Sequence, residues 1–211
     1  SDLALAENYM QDKLRKLAMD AGVKLTSPET TFISSDTIFG KNIVIEPNVY
    51  IGLGVEIKDN VTIKAFSYIE GAVIESGATI GPFARIREKT IIGNGSKVGN
   101  FVEIKNSNIS ENVKISHLSY IGDTNIGNDT NIGAGTITCN YDGVSKHQTN
   151  IGADVFIGSN TSLVAPLTIE DDSYIASGSV INKDVPSGSL AITRVKQENK
   201  INWSKKLKKK K

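Results

Sequence analysis

Two imidazoles, His117 and His147, and one thiol, Cys139, are the scarce reactive groups of this 211-residue chain. A free imidazole titrates near pH 6.5, so His117, in Ser-His-Leu-Ser-Tyr-Ile-Gly-Asp, can serve as a general base at neutral pH. Its spacing also fits a surface or packed histidine. A second chemistry is suggested by Arg85, Arg87 and Lys89 in Gly-Pro-Phe-Ala-Arg-Ile-Arg-Glu-Lys and by Lys105 in Gly-Asn-Phe-Val-Glu-Ile-Lys. Arginine binds phosphate with a two-pronged fork and lysine as a compact charge, so Arg87 with Lys105 suits a phosphate. Glu88 and Glu103 leave open a solvated, charge-balanced ladder instead. No cysteine pair or histidine pair stands at metal-ligand spacing, and Gly-Ala-Gly-Thr at 133–136 lacks full phosphate-loop spacing.

The elements that must position these groups are written in a six-residue beat of aliphatic residues. It runs through Ile45, Ile51, Ile57, Ile63 and Ile69, restarts at Ile74, Ile80, Ile86, Ile92, Val98 and Ile104, and slips again at Ile109 and Ile126. It resumes at Ile151, Ile157, Leu163, Ile169, Ile175 and Ile181. A period of six fits neither an amphipathic helix nor simple strand alternation. It suits short strands that each send one branched residue inward between turns, which is a coiled, solenoidal β structure. Each fully buried Ile or Leu contributes roughly 1.5–3 kcal/mol, so the column makes a core without a helical layer. Glycine often follows the aliphatic residue, as at Gly52, Gly93, Gly99 and Gly133, where a turn can need a conformation costly for other residues. Small or branched residues four positions on, such as Val55, Ser67, Ala84, Ser119 and Thr161, would fill the remaining interior. Three hexapeptides make one triangular turn, which stacks residues about eighteen apart and brings Arg87 beside Lys105.

Residues 1–24 lack the beat and place Leu3, Leu5, Tyr9, Met10, Leu14 and Leu17 at helical spacing. Ser27 to Ser35 reads as a connector, with the strands of the first coil beginning near Thr37. The solenoid occupies 25–185 and is interrupted by a polar loop at 138–150, the first place to look for chemistry because insertions in solenoids tend to form the binding face. In 186–211, Leu190 to Val195 reads as a last strand, followed by a polar tail that holds Trp203 and six lysines between Lys205 and Lys211. That tail is either a solvated segment or an attractor of phosphate-bearing ligands. A net charge of +1 argues against nucleic acid as the partner, and no apolar run is long enough to span a membrane or act as a signal sequence. A cytoplasmic location is expected. The chain opens on Ser1-Asp2 without an initiator Met, so its N-terminus need not be the natural one.

With these segments and Asn-Ile-Gly-Ala-Gly-Thr-Ile-Thr-Cys-Asn-Tyr-Asp-Gly, the chain resembles the C-terminal acetyltransferase half of the bacterial bifunctional N-acetylglucosamine-1-phosphate uridyltransferase/glucosamine-1-phosphate acetyltransferase family. The resemblance implies an all-β, left-handed parallel β-helix and a homotrimer with sites at subunit junctions. It implies transfer of acetyl from acetyl-CoA, a cosubstrate, to the amino group of glucosamine 1-phosphate, within UDP-N-acetylglucosamine, peptidoglycan and lipopolysaccharide precursor synthesis. By similarity His117 is the base, and Arg87, Lys105, Tyr120, Asn131 and Lys146 hold the sugar phosphate. Asn140 lies where the sugar meets the acetyl group, near a donor for the oxyanion, and with Tyr141, Ala134, Ser159, Ser177 and Arg194 it lines the coenzyme site. Ser177 stands where the family can carry Ala, which points to a backbone contact there. Arg194 and the segment around Trp203 are expected to help close the coenzyme pocket.

The implied chemistry is direct attack by the amine on the thioester, with Cys139 a packed residue rather than an acyl carrier. No metal is expected, because the family's Mg²⁺ belongs to the uridyltransferase domain that this stretch lacks; the chain is accordingly expected to acetylate without uridylylating. The other readings are a different hexapeptide amino-sugar acyltransferase, a non-catalytic trimeric scaffold, and a γ-class carbonic anhydrase relative, for which two histidines are too few.

Overall fold

The computed structural model describes residues 1–208. The chain winds as a left-handed parallel β-helix of about nine turns, with three sheets of ten, nine and eight strands forming the faces of a triangular prism. The order along the chain is constant: Lys114–His117 lies on the first face, Tyr120–Gly122 on the second and Thr124–Ile126 on the third. Every pairing between strands is parallel, and the register stacks the aliphatic beat into columns. On the first face Ile45, Ile63, Ile80, Val98, Ile115, Ile132, Ile157 and Ile175 follow one another coil upon coil. All are buried, as are the smaller residues Val55, Ser67, Ala84, Ser119 and Thr161. Stability is therefore close to a sum of coil-on-coil contacts.

Strands begin earlier than the beat suggests. Lys24–Leu25 and Phe32–Ile33 already pair with Val44–Ile45 and Tyr50–Ile51, but the short 3-10 turn Pro28–Thr30 separates Leu25 from Ile33 and hides the period. The helix Asp2–Asp20 closes this end. Buried Gln11 donates from Nε2 to the Ile33 carbonyl and accepts the Ile33 N–H, both at 3.0 Å, which satisfies backbone groups at an open sheet edge.

Gly81, after Ile80, has the left-handed backbone the sequence suggests, with φ of 90°, but the other glycines after the aliphatic positions serve a different purpose. At Gly99 the backbone is not left-handed; a Cβ there would sit 2.0 Å from the Ser116 carbonyl oxygen. The next coil comes too close for a side chain. Left-handed turns fall also at glycines such as Gly54 and Gly135, at Asn and Asp residues and, between the first and second faces, at Phe66, Phe83, Phe101 and Leu118, with φ of 60°, 54°, 57° and 53°. These bulky side chains stack outside the prism, with ring centroids 4.8 Å apart for Phe66 and Phe83 and 5.3 Å for Phe83 and Phe101.

The polar insertion is shorter than the loss of beat implies. Strands run to Cys139 and restart at Thr149, and buried Thr138 keeps the inward place in register with Leu163. Its Oγ1 accepts the Gly122 N–H at 2.8 Å, so a hydroxyl replaces a methyl group there to satisfy a buried amide. The last strand covers only Leu190–Ala191. Trp203–Lys208 is a short exposed helix, and Lys209, Lys210 and Lys211 lie outside the described residues. Among the described residues no helix is long and apolar enough to cross a membrane.

Candidate active site

All the expected site residues but Asn131 lie along the two edges of the second face. On the edge shared with the third face, Lys105 ends the strand Glu103–Lys105 and the next coil brings up Asp123, whose N–H donates to the Lys105 carbonyl. Lys105 Nζ lies 3.8 Å from Asp123 Oδ1, and each side chain is 12% exposed. Asp123 also accepts from Asn106 Nδ2 at 2.6 Å and from Asn140 Nδ2. Burial alone would raise the Asp123 carboxyl; the two amides and the charges of Lys105 and Lys146 outweigh it and hold the group below its ordinary value.

Asn140 begins the insertion and is buried. Its Nδ2 also reaches the Tyr120 hydroxyl at 3.5 Å, so both amide protons are engaged within the chain. Beyond it, Tyr141 bridges Lys146 in antiparallel fashion. Asp142 nucleates the turn by accepting the N–H groups of Val144 and Ser145 at 2.8 and 2.7 Å, and its other oxygen meets His147 Nε2 at 2.6 Å. The backbone N–H of Ser145, the imidazole and the Val144 N–H together depress the Asp142 carboxyl strongly. This turn presents Lys146 to Lys105, whose proximity lowers the Lys146 ammonium below the usual lysine range. Two ammonium groups brought together beside a single carboxylate form a receptor for an anion.

Arg87 and Lys105 occupy equivalent positions on adjacent coils, as their spacing predicts, with Arg87 N–H donating to the Ile104 carbonyl. The Arg87 guanidinium pairs with Glu103 at 3.1 Å and lies 3.6 Å from Glu88. The acidic ladder therefore exists for Arg87, while Lys105 turns to Asp123 and Lys146.

On the opposite edge, between the first and second faces, a backbone ladder runs along the prism. Leu118 N–H donates to the Asn100 carbonyl, Gly135 N–H to His117, Asn160 N–H to Ala134 and Gly178 N–H to Ser159. Arg194 Nη1 completes it at the Ser177 carbonyl, 2.6 Å away. Asn100, His117, Ala134, Ser159, Ser177 and Arg194 thus lie in file, one per coil. His117 is exposed, and its Nδ1 lies 2.6 Å from Asn100 Oδ1. Asn131 sits apart from Arg87 and Lys105, outward on the first face between Lys114 and Phe156. Cys139 is half-buried, its thiol turned to the Ile137 carbonyl.

A bifunctional protein GlmU from Wolbachia pipientis wMel is 54% identical over 200 residues, 95% of this chain. The chain belongs to the family of the GlmU C-terminal domain. The GlmU of Azorhizobium caulinodans is 52% identical over 96% of the chain. The chain spans about half the length of these curated relatives, 46% and 45%. Family models for the GMPPB C-terminal domain and the bacterial transferase hexapeptide match residues 68–145 and 148–183. The solved LpxA, a UDP-N-acetylglucosamine acyltransferase from Bacteroides fragilis, superposes with a TM-score of 0.52 at 23% identity, covering 78% of this chain and 70% of that one. That likeness concerns the fold.

Sequence reasoning missed Asp123, Asn106 and Asn100. The signal available was position: each stands 17 residues from its partner, Asn106 to Asp123, Asp123 to Asn140 and Asn100 to His117. That is one eighteen-residue coil, as between Arg85 and Glu103, shortened by a residue.

Proposed function

We propose that this chain transfers acetyl from acetyl-CoA to the amino group of glucosamine 1-phosphate, at sites formed where two copies meet in a homotrimer. The observation that carries this reading is the division of the site. The cationic pocket of Lys105, Lys146, Tyr120 and Arg87 stands on one edge of the second face, and the imidazole with its ladder stands on the other. Six residues separate His117 from Asp123, up to about 20 Å of extended chain. A threefold arrangement around the second face lays the His117 edge of one copy against the Lys105 edge of the next. The face between is suited to burial: a concavity of about 400 Å³ is lined by Phe83, Phe101, Leu118, Tyr120 and Ile137, and three of these large apolar residues stand exposed on left-handed turns.

In this reading Lys105 and Lys146 take the phosphate and Tyr120 packs beside the sugar. His117 accepts the proton of the amine as nitrogen attacks the thioester carbonyl; the new C–N bond forms, the C–S bond breaks and the thiol leaves. No acyl group rests on the enzyme, consistent with a Cys139 thiol turned to a backbone carbonyl. The file from Ala134 to Arg194 offers small side chains and carbonyls along which an extended pantetheine and its phosphates can lie. The oxyanion donor is not the Asn140 amide, whose protons are committed to Asp123 and Tyr120.

The test is complementation. His117→Ala and Lys105→Ala chains, each inactive alone, are unfolded, mixed in equal amounts and refolded. Random trimers then rebuild about one site in four, and thiol release recovers to that fraction. Parent chain without thiol release from acetyl-CoA and glucosamine 1-phosphate would refute the activity; an active parent whose mixtures stay dead would refute the shared site.

A further inference from the structure

We infer that Asn100 is the positioning residue of the His117 base, fixing which ring nitrogen carries the proton. The inference rests on the proposed acetyl transfer for its consequence, and on geometry for its content. His117 closes the strand Lys114–His117, and Asn100 closes the strand Lys97–Asn100 one coil earlier; the two are register partners on the first face. Their backbones are pinned next to each other by the Leu118 N–H to Asn100 carbonyl bond of 3.0 Å. Asn100 Oδ1 then meets His117 Nδ1 at 2.6 Å.

An amide oxygen only accepts a hydrogen bond, so this contact requires the proton on Nδ1 and leaves the lone pair on Nε2. Nε2 is the nitrogen that must face the substrate amine. Without Asn100 the ring is free to rotate and to place its proton on either nitrogen. A carboxylate in place of this neutral amide would favour imidazolium. The groove of about 290 Å³ that holds both residues has Lys64 and Lys97 as its charged lining, with Lys114 farther back on the strand of His117. The base is thus oriented by an uncharged partner in a cationic setting.

Two histidines make the test direct. The full chain, labelled with ¹⁵N-histidine, is examined by long-range proton–nitrogen NMR, with His147→Gln assigning the second ring. The parent is expected to show His117 with Nδ1 protonated and Nε2 bare. Asn100→Ala is expected to mix the tautomers and lower kcat at least tenfold, with KM for acetyl-CoA unchanged. Asn100→Asp is expected to keep the tautomer and move the acidic limb of the pH–kcat profile at least one unit upward. Parent rings protonated on Nε2, or an Asn100→Ala chain with unaltered tautomer and pH profile, would overturn the inference. A parent with the stated tautomer but no acetyl transfer would uphold the positioning and refute the reaction instead.

Discussion

Asn140 donates from Nδ2 to the carboxylate of Asp123, so the first residue of the insertion is tied to the coil edge that carries Lys105. Asn140 is 7% exposed, and Asp123→Ala leaves its amide without its main acceptor, a loss of about 1–3 kcal/mol. The turn that presents Lys146 is then released. KM for glucosamine 1-phosphate should rise at least about tenfold, a change of about 1.4 kcal/mol, with KM for acetyl-CoA little affected. Steady-state kinetics with each substrate varied in turn will show this; equal effects on both constants would place Asp123 outside the sugar pocket.

The same carboxylate makes stability depend on acid. Its folded value is depressed, so its contribution is complete above the unfolded value of about 3.9 and disappears as pH falls through the lower folded value. Thermal unfolding between pH 6 and 3 should steepen below about pH 4 in the parent. Asp123→Asn should show a shallower slope there, by up to about 1.4 kcal/mol per pH unit. Parallel curves would mean that Asp123 is ionised equally in both states.

Lys105 and Lys146 oppose one another in the free protein: Lys105, through its close contact and then its charge, lowers the Lys146 ammonium. That repulsion is felt below the folded value of Lys146 and vanishes as pH rises through it. A phosphate dianion relieves it at neutral pH. Inorganic phosphate should therefore raise the Tm of the parent above that in chloride at equal ionic strength, and Lys146→Ala should lose most of the gain while unfolding no earlier in chloride. A gain independent of Lys146 would assign the anion to another place.

Much of the architecture was readable because burial acts on single positions. Ile63, Ile80 and Val98 announce their column without knowledge of any neighbour. The site was readable only in part, because its contacts are made between coils whose offset changes. Thr124 pairs with Thr149, 25 residues on, where Asn108 pairs with Asn125, 17 on. The offset of 17 that lines up Asn106, Asp123 and Asn140 differs from the 18 between Arg85 and Glu103, and the aliphatic beat does not show that Thr138 holds an inward place. The glycines were misjudged for a related reason: the constraint on Gly99 comes from Ser116, one coil away, and not from its own φ.

That difference is measurable. At Gly99 an added methyl group meets the Ser116 carbonyl at 2.0 Å, while at Gly178, with φ +73°, it meets nothing within 4 Å. Gly99→Ala should cost about 1–3 kcal/mol by overpacking and disturb the strand that carries His117. Gly178→Ala should cost about 1 kcal/mol through backbone strain alone. Denaturant unfolding of both variants distinguishes the two origins; no loss in Gly99→Ala would show that the close approach of coils relaxes at no cost.

Arg194 stands at the end of the His117 file, its guanidinium on the Ser177 carbonyl; in the proposed reading the rest of its fork meets a phosphate of the coenzyme. Arg194→Ala, or removal of everything after Thr193, should raise KM for acetyl-CoA by about tenfold or more, since a hydrogen bond to a charged group is worth about 1.5–3 kcal/mol. KM for glucosamine 1-phosphate, which the proposed reading assigns to the other edge, should stay within about twofold, a difference below about 0.5 kcal/mol. The strand Leu190–Ala191 precedes the cut, so the sheet is left whole. Comparison of the two variants also isolates the helix Trp203–Lys208: a larger effect from truncation than from Arg194→Ala would give that segment its own contact with the coenzyme. An unchanged KM in the truncated chain would end the case for a coenzyme pocket closed by this part of the protein.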